Sequence, residues 1–97
     1  MYAASMRLEL LMRGIGSLKE KRRLVSSLIT HLDSKMHVGV AEVDHQDKWQ
    51  RAAVGVAAVA PQPGQLDRVL VAVRKAVESH PGVEVLDYSI WHMENDQ

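Results

Sequence analysis

The 97 residues predict one α+β domain: four strands in a single antiparallel sheet, with two helices covering one of its faces. Three observations lead there. Four separated stretches read as strands by period-two alternation or β-branched content, two stretches between them repeat apolar residues at helical spacing, and the resulting order is βαββαβ. A chain of this length supports only one core.

The elements follow in order. Met6 to Met12 alternates apolar and polar side chains, as a strand does when one face lies on a core. Arg13-Gly14-Ile15-Gly16 breaks that pattern, and Ser17-Leu18-Lys19-Glu20 is a capping box that opens a helix. Leu18, Val25, Leu28, Ile29 and Leu32 form its apolar stripe to about Lys35. His37 to Asp44 and Ala52 to Ala60 are short β-branched runs, joined by a polar link of hairpin-loop length. Pro61-Gln62-Pro63-Gly64 ends the second of these. Leu66, Val69, Leu70, Val73 and Val77 then mark a second helix, which His80-Pro81-Gly82 stops. Val83 to about His92 is the fourth strand, and the ends, 1–5 and 93–97, are expected to lie flexibly outside the core. Connection rules resolve this order into the ferredoxin-like arrangement.

Composition narrows the function classes. Apolar residues at 46% and charged residues at 25% suit a soluble globule, and no stretch resembles a signal peptide or a membrane span, so a cytoplasmic protein is expected. With no cysteine there is no thiolate chemistry and no thiolate metal site. The formal charge is zero, with 12 basic and 12 acidic residues, but it is unevenly spread. The first 35 positions hold seven basic residues against three acidic, and the remainder five against nine. That separation either joins the two halves or presents a basic face to an anion.

With both helices on one face, the other is open. Sheets of this topology that bind RNA carry aromatics on the central strands. Here Arg7, Glu9 and Leu11, with Ala53, Gly55, Ala57 and Val59, are the expected occupants, and Tyr2, Trp49, Tyr88 and Trp91 are expected outside both central strands. Such a small-residue apolar face suits a homodimer.

Two clusters are candidates for chemistry. Arg13, Lys19, Lys21, Arg22 and Arg23 surround the start of the first helix, where free N–H groups and cations attract anions. The glycines there fit neither a phosphate-binding P-loop nor a dinucleotide-binding fingerprint. A helical wheel splits the cluster. Lys19 and Arg23 point outward, Lys21 falls inside the apolar stripe and Arg22 on its border, so Lys21 must reach water or meet Glu42, Asp44 or Asp47. The second cluster is the hairpin link, with Asp44, His45 and Asp47 followed by Trp49, Gln50 and Arg51. Two carboxylates around an imidazole suit a divalent metal or acid–base catalysis, but neighbouring strand residues point apart and no second histidine lies at ligand spacing.

The segments Ser17 to Arg23 and Ala41 to Ala52 resemble the two signature motifs of the YlxP-like family, a bacterial family of unknown function. The similarity runs from Met6 to about Ile90 and takes in Ser79-His80-Pro81 and Val83 to Asp87. It implies a ferredoxin-like fold and no established activity, substrate or cofactor. Genes of the family often lie beside translation-initiation and ribosome-maturation genes, which implies a ribosomal or RNA setting by association.

The expected function is therefore binding without a cofactor, with RNA or the ribosome contacted through Arg13, Lys19, Lys21, Arg22, Arg23 and Arg51 and the hairpin of residues 44–51. A metal-assisted or acid–base enzyme built on Asp44, His45 and Asp47 is one alternative. The other is a protein–protein module that dimerises through the open sheet face.

Overall fold

The computed structural model describes residues 1–94, and its elements follow the expected order. They are β1 (Tyr2–Leu11), α1 (Leu18–Met36), β2 (Gly39–Asp44), β3 (Arg51–Ala60), α2 (Pro63–Glu78) and β4 (Glu84–Glu94). The strands lie in the order β2-β3-β1-β4 with every neighbouring pair antiparallel, which is the ferredoxin-like sheet.

The first strand begins earlier than the alternation predicts. Tyr2 to Ser5 pair with Ala60 to Ala57 on one side and with Glu94 to Trp91 on the other, so the partners set the length of β1. Small residues at 3–5 hide this, because they carry little period-two contrast. Residues 2–5 are therefore strand, and so are 93 and 94; residues 95–97 of the predicted tail lie outside the described residues. Tyr2 stands on a central strand, contrary to the expected placing of the aromatics, and it packs against the core rather than on the open face.

Even-numbered residues of β1 and β3 form the floor of the core. Met6, Leu8, Leu10, Val54 and Val56 meet Leu28 and Leu32 of α1 and Leu70, Val73 and Val77 of α2, all essentially without solvent contact. Burying each such side chain stabilises by about 1.5–3 kcal/mol against leaving it in water. The capping box at α1 forms in a shifted version. Ser17 Oγ accepts the Glu20 N–H at 3.1 Å, while the Glu20 carboxylate accepts the N–H of Gly16, one residue before the cap, at 3.0 Å.

Between α2 and β4, His80-Pro81-Gly82-Val83 is a tight turn in which the Val83 N–H donates to the His80 carbonyl at 3.3 Å. Gly82 has φ +86°, the left-handed region, and a Cβ there would come within 3.3 Å of Leu24. Gly82→Ala is expected to lower stability by about 1–2 kcal/mol, because an L side chain is strained at that φ and meets Leu24 as well. Urea denaturation measures it.

Candidate functional site

The basic cluster divides at the first turns of α1. Lys21 is fully buried, with a relative exposure of 0%, on the side of the helix that faces the sheet. Its Nζ lies 2.6 Å from Glu42 Oε2 as an ion pair and donates a hydrogen bond of 2.8 Å to the His45 carbonyl. Glu42 is the partner because its strand position pairs with the core-facing Val54, so its side chain points to the helix side of β2. Lys19, Arg22 and Arg23 are exposed, and none makes an ion pair among the described residues. Arg13 is also exposed and touches Glu84 only at 3.4 Å, between two solvated side chains.

The hairpin between β2 and β3 is fastened from both sides of the sheet. On the helix side Lys21 holds Glu42 and the carbonyl of His45. On the open face Glu9 accepts from Arg7 (Nε at 3.0 Å, Nη2 at 2.8 Å), from Arg51 Nη2 at 3.1 Å and from His45 Nε2 at 3.1 Å. Arg7 Nη2 also reaches Asp44 Oδ2 at 3.1 Å, and Arg51 Nε donates to the Leu10 carbonyl at 3.2 Å. His45 makes both attachments possible through its left-handed backbone, φ +63°, which turns the carbonyl to one face and the ring to the other. Such a conformation costs a non-glycine residue about 1–2 kcal/mol, offset here by bonds to a buried ammonium and a carboxylate.

Electrostatically the cluster is closed. Partial burial pushes the Glu9 carboxyl up, but hydrogen bonds from Arg7, His45 and Arg51 and the charge of Arg7 outweigh it and hold the group below its ordinary value of 4.5. Asp44 is held low by the His45 backbone N–H and then by Arg7, and Arg7 in turn is raised by Glu9 and Asp44. A depressed carboxylate contributes stability in full above its unfolded value and loses it as pH falls through the folded one. The hairpin clamp is thus expected to loosen progressively below about pH 4.5, the ordinary glutamate value. Glu9→Gln should remove that part of the acid sensitivity and cost about 1 kcal/mol at neutral pH, a figure discounted for its partial solvent access. Urea titrations at pH 7 and pH 4 check both.

The remaining hairpin residues have smaller tasks. The Gln50 carbonyl accepts the Met12 N–H at 2.9 Å, fixing the start of β3 to the end of β1. Asp47 and Trp49 are exposed at the tip. Asp44, His45 and Asp47 do not converge: among the described residues no three His, Asp or Glu side chains are placed to hold a metal. Arg7 and Glu9 are site residues that the sequence reading placed on the open face without joining them to the hairpin. Their signal was the i, i+2 spacing of opposite charges on one strand face, which puts two ionic side chains beside each other.

A family model described as "Protein of unknown function (DUF503)" matches residues 3–90, nearly the whole described chain. The chain belongs to that family. It is also 38% identical over 69 residues to a protein of Bacillus subtilis (strain 168) called "Uncharacterized protein YlxP", an alignment covering 71% of this chain and 75% of the relative. Among solved structures it is similar to a mutant of SnoaB, a cofactor-independent oxygenase from Streptomyces nogalater, with a TM-score of 0.47 and 10% identity over 98% of this chain and 94% of that one. It is also similar to a dimeric protein of unknown function and ferredoxin-like fold from Bacteroides fragilis NCTC 9343, with a TM-score of 0.42 and 15% identity over 97% and 96% of the two chains. Similarities this low transfer no activity or assembly. No helix among the described residues is long and apolar enough to cross a membrane.

Proposed function

We propose that this DUF503 protein is a binding protein that docks on the phosphate backbone of RNA, ribosomal RNA in particular, through the outer face of α1. One observation carries the reading. Of the four cations in the first two turns, Lys21 is consumed by Glu42, and Lys19, Arg22 and Arg23 remain exposed at i, i+3, i+4 without a carboxylate partner among the described residues. Glu20, the acid among them, directs its carboxylate back to the Gly16 N–H.

Ser26, Ser27 and Thr30 continue the same exposed side of the helix with hydroxyls. Cations followed by hydroxyls suit phosphate oxygens, which take most protein–nucleic acid hydrogen bonds. The Glu9 cluster holds the hairpin in place independently of Lys21, and Trp49, half-exposed in that hairpin, offers a ring to an unpaired base. Arg51 takes no part in this reading, because Glu9 and the Leu10 carbonyl engage its guanidinium.

The test is fluorescence anisotropy of labelled ribosomal RNA fragments titrated with the full chain at several salt concentrations. Binding that weakens steeply with salt is expected, since each neutralised phosphate releases counterions. Affinity that is absent, or that ignores salt, overturns the reading.

A further inference from the structure

The open face of the sheet is self-complementary, and we infer that a second copy of this chain covers it, related by a two-fold axis that runs along the strands between β3 and β1. The strand register supplies the argument. Gly39, Ala57, Ser5 and Trp91 are direct cross-strand partners and form one row across all four strands. One end of the row is a projection: Trp91 on β4 is 56% exposed. The rest of the row is a hollow of about 490 Å³ floored by Gly39, Ala41, Gly55 and Ala57, which runs on past Ser5 to Trp91 itself as its wall on the β4 side. Gly55 is part of that hollow for a steric reason, since a Cβ there would meet Val43 at 2.9 Å.

The hollow crosses the midline at the height of Trp91, with the indole at its β4 end and the glycine and alanine floor at its β2 end. Rotation by 180° about an axis parallel to the strands exchanges β4 with β2 and β1 with β3, so each Trp91 comes to lie over the partner's small-residue floor. The neighbouring row behaves the same way. Met93 on β4 and Val59 on β3, both 68% exposed and both aligned with Ala3, then lie one strand spacing apart across the interface, Met93 over the place that β2 leaves empty by starting at Gly39. An axis across the strands would instead set β4 over β4, which keeps each Trp91 away from the partner copy's β2 floor.

The area of the face agrees with a second copy. At ordinary strand spacing and rise, the four strands present about 600 Å² of flat face per copy, so corrugated by side chains the pair reaches the size of a stable interface. A strand-parallel axis also brings like heights together, which puts each Arg7–Glu9–Asp44–Arg51 cluster against its twin and Asp87, the β4 end of the same row, over the partner copy's Arg7-bound Asp44. That is tolerable because two guanidinium groups and two carboxylates already neutralise one another within each copy.

The absence of cysteine makes the test direct. Ala41 and Ser89 are the two ends of the row containing Gly55 and Arg7, three strand spacings apart in one copy, which is about 14 Å and too far for an internal disulfide. Analytical ultracentrifugation of the native chain should show a dimer, and Trp91→Glu should shift it to monomer at the same loading, with the circular dichroism of the folded chain and the urea midpoint of native protein diluted until it dissociates. Under mild oxidation, Ala41→Cys mixed with Ser89→Cys should form a mixed disulfide dimer that neither variant forms alone. A monomeric native chain, a Ser89→Cys variant that cross-links to itself, or a dimer indifferent to Trp91→Glu overturns the proposal. So does a monomer whose hollow takes up a small apolar probe such as 8-anilinonaphthalene-1-sulfonate and loses it in Trp91→Glu.

Discussion

Replacing Lys21 with methionine should lower stability by about 3 kcal/mol, the largest effect of any single substitution at the hairpin. Met fills nearly the same volume as the lysine stem, so the core keeps its packing. What disappears is the ammonium. Glu42, largely buried, is left as an uncompensated charge, and the His45 carbonyl loses its 2.8 Å donor. For a domain of this size each kcal/mol is about 4–8 °C of thermal midpoint, so a drop of more than 10 °C is expected by calorimetry. The double variant Lys21→Met/Glu42→Leu should recover much of that loss, because removing both partners of a buried pair costs far less than removing one. A single variant as stable as the native chain would show that the pair contributes nothing, and the two-sided clamp would then rest on the Glu9 cluster alone.

Reversing Lys19, Arg22 and Arg23 to glutamate should abolish RNA binding while leaving the urea midpoint within about 0.5 kcal/mol of native, as for other exposed positions. The three side chains touch no carboxylate among the described residues, so folding loses little when they change sign. Binding loses three phosphate contacts and gains three repulsions. For the native chain, three contacts correspond to a slope of about −2 to −3 in a plot of log affinity against log salt, depending on whether the strand is single or paired. Each single reversal should reduce that slope by about one unit. A triple variant that still binds with native salt dependence would move the contact elsewhere on the surface.

The helical wheel makes the division of the basic cluster legible from the sequence, because a cation at the centre of an apolar stripe has nowhere solvated to go. It left three acids as partners. Choosing Glu42 needs the register of β2 on β3, and that register is irregular between Glu42 and Asp44, so alternation counted along the chain does not fix which acid points at the helix. The same irregularity accompanies the left-handed turn at His45, which nothing in the local composition marks. On the open face, the small residues of β3 were legible from the apolar alternation of Val54, Val56 and Ala58. The place of Trp91 was not. A shift between β1 and β4 at Glu9/Leu10 breaks the count, and only the pairing of Ser5 with Trp91 shows which way the indole faces.

The central claim is that one run of basic residues does two jobs, with Lys21 holding the fold and Lys19, Arg22 and Arg23 facing the partner. RNA affinity of Lys21→Met and Lys19→Glu, measured side by side by anisotropy at a temperature where circular dichroism shows both folded, tests it most directly. The account predicts native affinity for Lys21→Met despite its lower urea midpoint, and an affinity loss of about tenfold for Lys19→Glu with an unchanged midpoint. A folded Lys21→Met that loses as much affinity as Lys19→Glu would contradict it, because the partner would then be reading a charge that the structure has already spent on Glu42.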